Sequence, residues 1–104
     1  MTKYHARPTT VDNIRFASAA EADRYHQLKY LQRAGQIKNL ELQPRYPLHV
    51  NGTHICTYVA DFRYTTNDGA TVVEDVKGFA TRLYRMKARL MFAIHGITIH
   101  EVHP

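Results

Sequence analysis

A chain of 104 residues makes one domain and can bury about two-thirds of the surface its unfolded form exposes. Its 44% apolar content excludes disorder as the default, and its one cysteine, Cys56, excludes an intrachain disulfide and a multi-cysteine zinc site. The formal charge of +5 calls for a polyanionic partner, which leaves nucleic acid, an anionic membrane or an acidic protein.

Residues 1–16 mix Lys3, Arg7 and Arg15 with Tyr4, Val11, Ile14 and Phe16, and read as an irregular basic arm ahead of a core over 17–104. A helix is expected over about 19–34. Ser18 and Glu21 have the spacing of a capping box, Gly35 supplies the stop, and Tyr25, Leu28 and Leu31 form the apolar stripe. Ile37 to Gln43 reads as a strand, after which Pro44 and Pro47 limit regular pairing. Leu48 to Val50 runs into Asn51-Gly52, a hairpin turn, so the Asn51-Gly52-Thr53 sequon marks a turn and not a glycan. One strand is then expected over about Ile55 to Tyr64. Asn67-Asp68-Gly69 turns the chain into a strand from Thr71 to Val76 that Gly78 ends. A second helix over about 80–95, stopped by Gly96, carries a buried stripe of Leu83, Met86, Leu90 and Ile94. Ile97 to Val102 forms the last strand. The fold class is α/β (α+β): a helix, three or four strands, a helix and a strand, with a mixed sheet flanked by the helices. No charged-then-apolar leader opens the chain and no apolar run approaches spanning length, so a soluble, cytoplasmic protein is expected.

The acids in the middle strands carry chemistry. At a strand's two-residue period Asp75 and Lys77 point to one face and Glu74 to the other, with Asp61 on the adjacent strand. Asp61 interrupts an apolar-aromatic run although Asp is disfavoured in strands, a local rule break expected at a functional site. Two carboxylates can hold Mg²⁺, with Mn²⁺ as a substitute, joined by the Val76 carbonyl, while Lys77 orients a water or stabilises developing charge. Glu21 has two readings, a helix cap and a further carboxylate for the metal. Gln43 reads either as a helper of the site or as a buried amide that satisfies the Pro44 bend. On the second helix Arg82, Arg85 and Arg89 make a stripe of one charge, with Lys87 nearby, that a phosphate backbone would relieve of its self-repulsion. Lys3 and Arg7 join them as DNA-binding candidates. His100-Glu101-Val102-His103 is one residue short of a zinc helix motif and reads as a terminal strand and tail.

An acidic helix followed by D…(D/E)-x-K on consecutive strands resembles the PD-(D/E)xK nuclease superfamily. The segments FASAAEADRY (16–25), LELQPRY (40–46), YVADFRY (58–64) and VVEDVKGFATRLYRMKARL (72–90) more narrowly resemble a family of small phage-encoded proteins placed in that superfamily. The resemblance covers nearly the whole chain. It implies a restriction-endonuclease-like αβββαβ core, Asp61 and Asp75 as metal ligands, and Lys77 as the catalytic lysine. Glu21 matches the helix glutamate that Holliday-junction-resolving members use as an additional ligand. Ala60 stands at the family's proline position, and Asp75 replaces the commoner glutamate, bringing the metal closer to the strand.

Together these features imply a Mg²⁺-dependent endodeoxyribonuclease acting on branched DNA such as four-way junctions, in phage recombination or DNA processing inside a bacterial host. Two symmetric cuts at a junction imply a homodimer. Two other classes fit the charge: a non-catalytic DNA-binding module of the same fold, and a phage assembly factor that binds an acidic protein through the arginine stripe.

Overall fold

A computed structural model describes residues 7–104, so Lys3 and Tyr4 lie outside the described residues. Residues 9–16 depart from the expected irregular arm. They form a hairpin of β1 (Thr9–Val11) and β2 (Ile14–Phe16), because Asp12 and Asn13 both adopt the positive φ that a two-residue turn requires. The Tyr25 hydroxyl donates to Asp12 Oδ2 at 2.8 Å and ties this hairpin to the first helix.

Helix α1 spans Ala19–Arg33, with Ser18 at its N-cap. The Ser18 hydroxyl accepts the Glu21 N–H at 3.1 Å and donates to Glu21 Oε2, so one oxygen of the Glu21 carboxylate completes the cap. Gly35, at φ +77°, lets the chain turn back so that the Gln36 N–H reaches the Leu31 carbonyl at 2.8 Å.

Three antiparallel strand pairs and one parallel pair follow. Strand β3 (Ile37–Leu42) pairs antiparallel with β6 (Phe62–Thr66), β6 pairs antiparallel with β7 (Thr71–Val76), and β7 pairs parallel with β8 (His100–Val102). Between β3 and β6 the chain leaves this four-stranded mixed sheet to form a two-stranded ribbon, β4 (Arg45–Val50) with β5 (Thr53–Val59). Pro47 does not interrupt β4, because the ribbon gives that strand only one partner. The single strand expected from Ile55 to Tyr64 is therefore two strands, broken at Ala60 and Asp61 where the chain changes partner. Helix α2 (Arg82–His95) begins at the Thr81 cap, ends at Gly96 in the left-handed conformation, and connects β7 to β8 as a crossover. Leaving the ribbon and the first hairpin aside, the order is αβββαβ in a mixed sheet.

Alternate residues of β7 serve two cores. Val72 and Val76 pack with Phe16, Tyr25, Leu28, Phe62 and Tyr64 beneath α1, whereas Val73 packs with Leu48, Tyr58, Ala60, Tyr84 and Met91 between the sheet, the ribbon and α2. Cys56 is half-buried against this second core, the apolar filler its surroundings suggest. The stripe on α2 differs from expectation. Tyr84 and Met91 are the buried residues, Leu90 and Ile94 are partly buried, and Leu83 and Met86 are exposed. Tyr84 takes the inward position because its hydroxyl finds a partner there, donating to Glu101 Oε2 at 2.8 Å.

Candidate active site

Asp61 occupies the break between β5 and β6 yet stays in the plane of the sheet. Its N–H donates to the Glu74 carbonyl at 3.1 Å, and its own carbonyl accepts the Gln43 N–H at 2.9 Å. Gln43 is exposed, with φ +50°, so it is not a buried amide; its backbone, not its side chain, holds Asp61. The Asp61 side chain turns toward β7, where Oδ2 accepts the Val76 N–H at 2.7 Å.

Asp75 is 4% exposed and lies beside it on the α2 face of β7. The Tyr58 hydroxyl donates to Asp75 Oδ2, and Lys77 Nζ stands 3.3 Å from Oδ1. The two-residue period thus brings Asp75 and Lys77 together as expected. The Lys77 ammonium also sits 4.2 Å from the centre of the Tyr84 ring, a cation–π contact. Its backbone is pinned twice, by its N–H to the Val102 carbonyl at 2.9 Å and by its carbonyl 2.9 Å from His103 Nδ1.

Burial dominates the electrostatics of the acid pair. Loss of water around them pushes both Asp61 and Asp75 up to about 6, since an ionised carboxylate is poorly solvated there. Each carboxyl acts on the other as well, with Asp75 lowering Asp61 and Asp61 raising Asp75. The Tyr58 hydroxyl and the Lys77 charge pull Asp75 back down, while the Glu21 carboxylate pushes Asp61 further up. Glu21, half-buried in the first turn of α1, therefore reaches Asp61 as well as its cap. Burial raises Tyr58 and Tyr84 far above the usual phenol range, so both act as hydrogen-bond donors only.

Tyr58, Asp61, Asp75, Lys77 and Tyr84 line an open cleft of about 290 Å³ walled by Thr57, Val59, Thr81, Leu83 and Lys87. Lys87 is half-buried and points Nζ toward the Thr57 carbonyl at 3.5 Å. Arg82, Arg85 and Arg89 are exposed on the side of α2 turned away from Tyr84 and Met91, and none lines this cleft. Arg7 is exposed beside the first hairpin. A larger concavity of about 1090 Å³ lies over β3 and β6, but its acid, Glu41, is already paired with Arg63.

Among the described residues no three His, Cys, Asp or Glu side chains close around a metal position. The donor set still fits a hard divalent cation. Mg²⁺ is held by one or two carboxylates with water and phosphate oxygens completing its shell. Asp61 and Asp75 in contact are such a set, and a cation would relieve their mutual repulsion.

Tyr58 and Tyr84 have no motif in the sequence to single them out, and His103 stands out there only in a stretch one residue short of a zinc helix motif. Glu74, next to Asp75, is wholly buried on the α1 face. It accepts two hydrogen bonds from Arg24, Nε to Oε1 at 2.8 Å and Nη2 to Oε2 at 2.6 Å, and a third from the Tyr64 hydroxyl. Burial and this bond to Glu74 raise Tyr64 to about 12. Glu74 thus braces α1 against the sheet and takes no part in the cleft.

No helix among the described residues is long and apolar enough to cross a membrane. No curated protein matches the chain. A family model described as a protein of unknown function, DUF1064, matches residues 1–101. That match spans nearly the whole length, both helices and every residue of the acid cleft up to Lys87, and the chain belongs to the DUF1064 family.

Proposed function

We propose that this protein is a Mg²⁺-dependent endodeoxyribonuclease of the PD-(D/E)xK type, with Mn²⁺ able to substitute. The observation that carries the reading is the contact of two largely buried aspartates, Asp61 and Asp75, with a lysine 3.3 Å away in an open cleft. A buried acid pair has no benefit for stability, and clusters of this kind concentrate at reacting centres.

Asp61 and Asp75 would hold the cation, with the Glu21 carboxylate acting on it through Asp61. A bound divalent ion supplies charge neutralisation at the phosphate and lowers the pKa of water. The Val76 N–H and Tyr58 hydroxyl each occupy one carboxylate oxygen and so fix the orientation of both ligands. Lys77, held over Tyr84, aims a fixed positive charge into the cleft, where it can donate to the attacking water or to a phosphate oxygen. Lys87 adds a second cation on the α2 wall.

The DNA is proposed to be branched, such as a four-way junction met during phage recombination or DNA processing in a bacterial cytoplasm. Symmetric cutting of a junction would need a homodimer. Arg82, Arg85 and Arg89, directed away from the cleft, would meet a neighbouring arm of such a substrate, as would Arg7 and Lys3.

A cleavage panel tests this directly. Linear duplex, single strand, flap and four-way junction are incubated with Mg²⁺, Mn²⁺ or chelator. Cutting is expected with either metal and not with chelator, and Lys77→Ala is expected to slow it by about 10²–10³-fold. Undiminished cutting by both Asp75→Ala and Lys77→Ala would remove the site assignment. Salt-sensitive binding without cutting by the wild type would instead identify a non-catalytic DNA-binding module. Absence of DNA affinity at low salt would point to a partner protein rich in acids.

A further inference from the structure

The cleft has apolar walls that acid and lysine chemistry alone does not call for. Leu83 is 55% exposed and Val59 is 40% exposed, and both line the concavity that holds Asp61, Asp75, Lys77 and Lys87. Leu83 faces outward because Tyr84 takes the core position on α2, and Val59 is the last residue of β5 before the chain changes sheet. Single exposed apolar residues need no explanation, but these two share one concavity with the acids and the lysines.

Three chemistries converge on whatever fills this cleft. The two lysines select an anion, the paired acids select a cation carried with it, and Val59 with Leu83 select an apolar surface. A second copy of this chain seated there would take two acids and two lysines out of water with only one ion pair among them, Lys77 with Asp75, which is unfavourable. An acidic peptide would satisfy the lysines and repel the aspartates. Intact duplex DNA offers phosphates, but its base faces are covered by stacking. A nucleotide whose base has left the stack offers a phosphate and an uncovered apolar face on one short unit.

We propose that Val59 and Leu83 receive an unstacked nucleobase next to the scissile phosphate, so the site selects DNA in which one nucleotide can be extruded. This inference rests on the phosphodiester-cleavage reading and adds two specificity-determining residues to it. Extrusion is least costly where pairing is already lost, so bulges, flaps and branch points are the preferred class, ahead of paired duplex.

The test compares cleavage of a fully paired duplex with that of the same duplex carrying a single-nucleotide bulge, using wild type, Leu83→Ser and Val59→Thr. Binding is followed in parallel by the fluorescence of 2-aminopurine placed at the bulge, which brightens on unstacking. Wild type is expected to prefer the bulged duplex by about tenfold in kcat/KM and to brighten the probe, and both variants to lose most of that preference through KM. Because both positions are exposed, circular dichroism and Mg²⁺-induced thermal stabilisation should match wild type and confirm an intact fold. Equal cutting of the two duplexes by wild type, or an unchanged preference in both variants, overturns this inference and leaves the nuclease reading standing. Altered sedimentation of the variants with unchanged preference overturns it too and assigns the patch to self-association. Absence of cutting and binding with every substrate overturns the nuclease reading itself.

Discussion

Glu74 and Asp75 are neighbours on one strand and end in opposite circumstances. Glu74 faces α1, where Arg24 and the Tyr64 hydroxyl supply three donors to its two oxygens. Asp75 faces α2, where its neighbours include another acid and its lysine stands at 3.3 Å. The first acid is neutralised by the fold. The second leaves a demand for positive charge that the fold only partly meets. A buried acid with a full set of donors is a brace, and a buried acid facing another acid is a candidate site.

The largest effect should come from breaking the brace. Arg24→Ala leaves Glu74 buried without its cation and is expected to cost about 3–5 kcal/mol, read as a lower urea midpoint. A loss below 1 kcal/mol would mean that Glu74 draws little from Arg24 and would erase the contrast.

A smaller effect of opposite sign is expected on the other face. The folded-state pKa of Asp75 lies near 6, above its ordinary 3.8, so the ionised form costs stability. That cost is full above pH 6 and vanishes below the unfolded value. Asp75→Asn should therefore be more stable than wild type by about 1–2 kcal/mol at pH 8 in chelator, and the gap should close on acidification to pH 4. A gap that is constant with pH would dissociate the gain from ionisation.

Smaller again is the response to metal. Millimolar Mg²⁺ should stabilise wild type by about 1 kcal/mol in a thermal scan and leave Asp75→Asn unmoved. Equal shifts in the two proteins would place the cation elsewhere.

Local signals in the sequence marked much of this fold. The Ser18 cap, Gly35, Asn51-Gly52, Asn67-Asp68-Gly69, Gly78 and Gly96 punctuate the chain where elements begin or end, and TVVEDV is the strand β7. Period two put Asp75 and Lys77 on one face and Glu74 on the other. The misreadings have long-range causes. Residues 55–64 look like one strand because apolar and aromatic residues continue on both sides of Asp61, and only partner exchange between β4 and β3 divides them. On α2 the periodicity of Leu83, Met86, Leu90 and Ile94 is real, but the burial of Tyr84 rotates the helix away from the first two. Arg24 lies 50 residues from Glu74, and nothing near either residue announces the other.

The anchoring of Lys77 by Val102 and His103 also bears on when the acid cleft is completed during synthesis. Residues 61, 75 and 77 leave the ribosome well before their support does, because β8 pairs with β7 only after α2 has formed. A nascent chain can build α1 and the hairpins early, as local contacts form first. It cannot fix its lysine until residue 103 has emerged. Chains ending at residue 99 are expected to retain helical circular dichroism and to show no metal-dependent cutting. Under the proposed nuclease function, such a delay would keep a chain that has not yet paired β8 with β7 from cutting DNA.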